Sequence, residues 1–454
     1  MEKHKFYRRT RVYPVITLGL LLLLLTGCTS GVVHVGPAST TPTTGTTGNQ
    51  GTSTQTTTST FGSATDSCPA SIPEAGCMTP HALRVAYGIE PLIERGYTGK
   101  GQTVIDIVSF GSPTLQQDVN AFDNYYHLPA ITIQIISPLN EKESDPNGDK
   151  SGWAGETTLD VEVIHALAPQ ANIAVLVSPV AETEGTVGLP EFRQLMQYAL
   201  DHHLGNIVSQ SWGASEVTLA DAAGQQEIQK WDALYKQATT QTGLSVLTAS
   251  GDNGSTDYVD MAGKILSKTA TTSFAADDPW VTTVGGTLLT RNGGSYSETV
   301  WNDNGGGAGG GGFSKFFQEP SYQKTLPSPV QSELNNRRGV PDVSADASPS
   351  SGMSIYLSGT WQPIGGTSAS TPMWAAIIAI GDQMAGHPLG FLNPGLYKIA
   401  QSSSYTQDFH DITTGENSHN NVLGYPAAQG WDASSGLGSP NAEKLLPDLI
   451  QALK

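Results

Sequence analysis

The sequence predicts an α/β fold with a mostly parallel central sheet and helices on both faces. Three observations carry it. Apolar runs of strand length recur at residues 103–110 (TVIDIVSF), 171–179 (ANIAVLVSP), 206–213 (NIVSQSWG) and 244–252 (LSVLTASGD). Segments of helical period lie between them, PEFRQLMQYALDHH at 190–203 and QQEIQKWDALYKQATTQTG at 225–243. The strand runs are continuously apolar instead of alternating, so both faces of the sheet must be covered. In such sheets functional groups collect at the carboxyl ends of the strands, where Ser209, Ser211, Trp212, Gly213 and Asp252 fall.

At 454 residues the chain has room for one large catalytic domain with extra segments. Its 23 Lys and Arg against 41 Asp and Glu give a net charge of −18, which argues against nucleic acid as a partner. Only 14% of residues are charged, and many carboxylates lack a cationic neighbour, a balance suited to an acidic medium. Residues 1–27 read as a signal segment: a basic start (Lys3, Lys5, Arg8, Arg9, Arg11), an apolar run, then Leu25-Thr26-Gly27-Cys28. Small residues before Cys28 resemble a lipoprotein signal, with lipid added to that sulfur; an ordinary secretory signal or an uncleaved anchor is the alternative. Either way the chain is exported. Residues 28–67 are rich in Thr, Ser and Gly and expected to be a flexible tether with a reach of roughly 35 Å. Residues 68–454 form the folded domain. Cys68 and Cys77 remain as an even pair in an oxidising compartment, and a disulfide is expected rather than two free thiols.

IGGTSASTPMWAA, residues 364–376, sets Ser368 after a glycine turn at the head of a helix apolar on every face. Free N–H groups there favour negative charge, but a hydroxyl needs a neighbouring base to act as a nucleophile. No histidine stands in a suitable stretch. His165 is followed by apolar residues and reads as packed; His202 and His203 end a helix. In GETTLDVEV, Glu156 and Asp160 are four apart and stack on one helix face. They read either as two solvated acids or, if buried, as a pair that shares a proton and relays it. TASGDNGSTD places Asp252 in a glycine-rich turn after a strand, either as a cap or as a protonated donor to an oxyanion.

Together GGTSAS, GETTLD and SGDNGSTD resemble the sedolisins, the serine-carboxyl peptidases. SQSWG, DPWVTTVGGT, RGVPDVSADASP and GWDASSGLGSPN extend the resemblance over roughly residues 77–454. It implies a subtilisin-like fold and hydrolysis of peptide bonds through an acyl-enzyme. Ser368 is then the nucleophile, Glu156 the general base and acid, Asp160 the carboxylate orienting it, and Asp252 the oxyanion donor, with Ser211, Trp212 and Gly213 against the substrate. One structural Ca²⁺ is implied, held by Asp411 and Asp432 and by the carbonyls of Ile412, Ala428 and Gly430; the family usually has Gly where Ala428 stands. NGGGAGGGG, residues 304–312, lacks the Lys-Ser/Thr ending of a phosphate loop and is expected to bend near the cleft.

Two departures from the family stand out. Between Cys28 and Cys68 there is no room for a long folded pro-domain. Relatives often place an acid where this chain has Val108; Asp106 lies one strand period back, as a substitute or as a hydrogen-bonded core acid. The expected enzyme is a monomeric, acid-acting endopeptidase on polypeptide substrates, touching the membrane only through its anchor. A tripeptidyl exopeptidase, an inactive binding protein on the same fold and a histidine-dependent protease are the competing readings.

Overall fold

The computed structural model describes residues 67–73 and 76–454; Cys28, the signal segment and nearly all of the tether lie outside them. An eight-stranded sheet forms the centre. Its strands are β1 (Thr103–Ser109), β2 (Gln134–Ile136), β3 (Asn172–Ser178), β4 (Ile207–Gln210), β5 (Ser245–Ala249), β6 (Thr282–Asn292), β7 (Ser295–Val300) and β8 (Val343–Asp346). They lie in the order β8-β6-β5-β4-β1-β3-β2, all parallel, with β7 pairing antiparallel to β6. This is the mostly parallel α/β architecture that the apolar runs foretold.

The two strands expected to reach Gly213 and Asp252 stop earlier, at Gln210 and Ala249. Residues 211–213 and 250–252 leave the ladder because they turn outward to line a cleft. Strand β1 is buried at six consecutive positions, as a strand covered on both faces must be. In its register Asp106 stands between Val175 of β3 and Ser209 of β4.

Two pairs of helices cover the sheet. Leu189–Asp201 and Ala222–Thr240 pack on each other and on the strands. The second starts where Asp221 accepts a hydrogen bond from Gly224 N at 2.7 Å, an N-cap. The other pair, Lys150–Leu167 and Thr367–Ala385, also pack together and on the sheet. Met373 to Ile380 in the latter are fully buried, so this helix has no solvent face. Each such Ile contributes about 1.5–3 kcal/mol by burial. The site's helix is therefore held by the core itself.

Cys68 and Cys77 are joined in a disulfide, with Cα atoms 6.2 Å apart. Among the described residues no helix is long and apolar enough to cross a membrane.

Candidate active site

Ser368 is the second residue of its helix, which the chain enters through Gly366 at φ 100°. That φ suits glycine, and a Cβ there would also lie 2.7 Å from Asp252 Oδ2. Four residues after Ser368, Pro372 lacks the N–H that would bond the Ser368 carbonyl in a regular helix. The Ser211 hydroxyl sits 3.4 Å from that carbonyl oxygen and donates to Asp160 Oδ1 at 2.8 Å. One hydroxyl thus joins the helix that carries Ser368 to the helix that carries the acids.

Glu156 and Asp160 lie on the Lys150–Leu167 helix, one turn apart. The half-buried Glu156 carboxyl faces the Ser368 and Ser211 hydroxyls, and its Oε1 has no hydrogen-bond partner among the described residues. Burial pushes this carboxyl well above the usual carboxylate range; the charge of Asp160 adds to that, and the Ser368 hydroxyl pulls the other way. Asp160 is fully buried and is pushed up by that burial, against the Ser211 bond. The solvated-pair reading of these two acids is thereby excluded.

Asp252 follows β5 and faces the open cleft. Its Oδ1 accepts from both the amide and the hydroxyl of Thr367, each at 2.8 Å. One side meets solvent, but the protein packed around the rest still pushes its carboxyl up, while the two Thr367 bonds pull it down. The glycine run supports its turn from behind: Ala308 N donates to Asp252 O at 3.0 Å and Gly310 N to Gly251 O at 2.7 Å. A Cβ on Gly310 would fall 2.0 Å from Ser250 O, so only glycine fits there. The expected bend is a brace under the oxyanion-side turn.

Two cavities flank these groups. One of about 260 Å³ is lined by Trp212, Asp252, Asp257, Tyr258, Glu184 and Ser368. Another of about 330 Å³ is lined by Trp153, Glu156 and Glu182, and Ser211, Trp212 and Gly213 line both. At the first, Glu184 Oε2 accepts from Ser215 N at 2.9 Å and Thr218 Oγ1 at 2.8 Å, and burial pushes this acid up to about 7.

Sequence reasoning missed Thr367, Asp257 and Glu184. Asp257 lies in the same glycine-rich stretch as Asp252, which was the available signal; nothing local marks Thr367 or Glu184. Among the described residues no histidine lines either cavity. His165 Nε2 lies 3.0 Å from Asp123 Oδ1 and 2.9 Å from Pro129 O, a packed side chain, and His202 Nδ1 meets Tyr198 O at its helix end.

Comparison with known proteins agrees with this geometry. The subtilase family profile matches residues 147–387, which include both site helices. Kumamolisin of Bacillus sp. (strain MN-32) is 35% identical over 371 residues, covering 78% of this chain and 61% of that protein. The solved structure of Pseudomonas sedolisin, a serine-carboxyl proteinase complexed with two molecules of pseudo-iodotyrostatin, superposes with a TM-score of 0.69 at 28% identity, covering 82% of this chain and 97% of that one. This chain is a subtilase of the sedolisin family. Human tripeptidyl-peptidase 1 is a further sedolisin-family match, 32% identical over 400 residues, 82% of this chain and 64% of that protein. The chain thus spans less than two thirds of either of these curated relatives.

The C-terminal loop of this sedolisin-family chain gathers the residues expected at a cation. Gly430 N donates to both Asp411 oxygens at 3.1 Å, and Ala428 N to Asp432 Oδ2 at 2.9 Å. Asp432 Oδ1 accepts from the amides of Ser434 and Ser435 at 2.9 Å. Both acids act on the buried Tyr405 hydroxyl, which donates to Asp411 at 3.0 Å. No cluster of three or more His, Cys, Asp and Glu side chains occurs among the described residues, so backbone carbonyls would have to complete a site. Two carboxylates plus carbonyls is an oxygen-only donor set, which fits a hard cation such as Ca²⁺.

Proposed function

We propose that this protein is an acid-acting serine-carboxyl endopeptidase. The observation that carries the reading is the juxtaposition of the Ser368 hydroxyl and the half-buried Glu156 carboxyl, with the fully buried Asp160 one helical turn behind it. Ser368 attacks the scissile carbonyl as its proton passes to Glu156, and the same proton then goes to the leaving amine. Asp252, protonated, donates to the oxyanion from the position Thr367 fixes. Water repeats the cycle on the acyl-enzyme. Cavities on both sides of Ser211–Gly213 let a polypeptide run through the site, which favours internal cleavage over removal of amino-terminal tripeptides.

Asp411, Asp432 and the carbonyls of Ile412, Ala428 and Gly430 would hold one Ca²⁺, which ties down the C-terminal loop away from the chemistry. The enzyme works as a monomer outside the membrane, tethered through Cys28.

The test is a pH–rate profile on a denatured protein substrate together with Ser368→Ala and Glu156→Gln. Glu156 must be able to accept a proton and Asp252 must hold one; burial raises both carboxyls above the ordinary range, so activity is expected in the acid range, at its upper end and not at the lowest pH, with loss above about pH 6.5. Each substitution is expected to cost several powers of ten. Full activity at pH 8, or normal turnover by the Gln variant, would overturn the reading.

A further inference from the structure

Behind the Glu156–Asp160 pair lies a third acid that the chemistry above does not use. Asp106 sits on β1, fully buried, and its carboxyl faces that of Asp160. No hydroxyl, amide or cation reaches either of its oxygens among the described residues, and Asp160 Oδ2 is equally without a donor. Two facing carboxyl groups with three donorless oxygens can satisfy one another only by sharing a proton. The neighbours decide where that proton resides. Ser211 donates to Asp160 at 2.8 Å and favours the anion there, whereas Asp106 has no such help and keeps the proton.

We propose that Asp106 is a positioning residue for the reaction: it donates its proton to Asp160 and so keeps Asp160 ionised behind Glu156. The proposal rests on the peptidase reading above. An ionised Asp160 makes Glu156 a stronger base, since its negative charge favours the protonated form that Glu156 takes when Ser368 attacks. No bond to substrate is involved; Asp106 acts through Asp160 alone.

The groups facing this pair are few. The Lys150–Leu167 helix presents Glu156 and Asp160, and β3 and β4 present Val175 and Ser209 beside Asp106. Ser211 comes from the end of β4, and Asp252 acts on Glu156 from across the cleft. None of these is a cation. Val108, where relatives often carry an acid, is an apolar side chain buried in the core, so the support reaches Asp160 from a different point on the strand.

The experiment compares Asp106→Val and Asp106→Asn with the parent chain, using an internally quenched peptide for kcat and KM across pH. In the Val variant Asp160 has lost its donor and takes the proton itself. Glu156 then loses the neighbouring charge and becomes a weaker base. A fall in kcat of about 100-fold is expected with KM within about threefold, and the acid limb of the kcat profile moves down by about one pH unit. The thermal midpoint is expected to be no lower, because the change removes two buried oxygens that lack protein donors. In the Asn variant the amide donates to Asp160 as the acid did. Its kcat is expected within about threefold of the parent, with the acid limb unmoved.

A Val variant with parental kcat and pH limbs would falsify the proposal, and so would Asn and Val variants that fall equally. Should the Val chain fail to fold, the Asn chain decides: a loss as deep as that of Glu156→Gln overturns the role, and parental activity supports it. A parent chain without Ser368-dependent hydrolysis refutes the peptidase reading itself. An active parent whose variants differ in none of these readouts refutes only the role of Asp106.

Discussion

Two fully buried aspartates of this protein, Asp342 and Asp160, show how neighbours turn one side chain to different ends. Asp342 is paired with Arg338 by two bonds, Nη1 to Oδ1 at 2.8 Å and Nη2 to Oδ2 at 2.6 Å. Thr283 N at 2.8 Å and the Tyr397 hydroxyl at 2.8 Å complete its acceptors. Every oxygen is occupied and the Arg338 guanidinium lies against both, so its role is structural. Asp160 has one hydroxyl donor, no cation, and two other acids for neighbours. An acid so placed holds or shares a proton instead of a counter-ion. A compensated acid holds its partners in place; an uncompensated one holds a proton.

Breaking the compensated acid is expected to have the largest effect on folding. Asp342→Asn strands a buried guanidinium and should cost about 3–5 kcal/mol at any pH, read by urea unfolding. Asp160→Asn strands no cation and should leave unfolding within about 1 kcal/mol of the parent while lowering turnover. Equal destabilisation by the two would erase the distinction between them.

A second uncompensated acid sharpens the contrast through pH. Asp382, in the Ser368 helix, accepts from Leu389 N at 2.8 Å, and its other oxygen has no donor. Burial pushes it up to about 7, so the folded chain binds this proton more tightly than the unfolded chain does. Its stability contribution is full below about pH 4 and is lost as pH rises through about 7, on the order of 3–4 kcal/mol in all. Thermal midpoints measured from pH 4 to 8 should fall, and Asp382→Asn should flatten part of that fall.

The smallest effect is expected at the C-terminal acids, where an external cation would supply the missing charge. Removing Ca²⁺ with a chelator should lower stability by about 3 kcal/mol or less, the shift a hundredfold excess over Kd produces. Asp411→Asn should abolish the difference between chelated and calcium-loaded samples in thermal unfolding.

Much of this was legible in the sequence because the signals were local. A parallel strand covered on both faces is a continuous apolar run, and Glu156 and Asp160 four apart must share a helix face. Ser368 after Gly366 and Asp252 in its turn were readable for the same reason. Contacts between distant segments were not. That Asp106 meets Asp160, or that Thr367 clamps Asp252, depends on which helix the sheet receives at which register. The strand ends were overrun at 206–213 and 244–252 because Ser211, Trp212 and Ser250, the first residues past them, are as buried as the strands themselves. A hairpin of Met353–Leu357 and Thr360–Ile364 went unread, although its Ser358-Gly359 turn, with φ of 49° and 85°, is the kind that two-residue loops prefer.

The clamp by Thr367 has a mechanical consequence. Its amide and hydroxyl grip Asp252 while its own peptide bond leads directly to Ser368, so the Asp252 carboxyl and the Ser368 hydroxyl are coupled to a single anchor point. A displacement that carries Thr367 therefore moves both groups together.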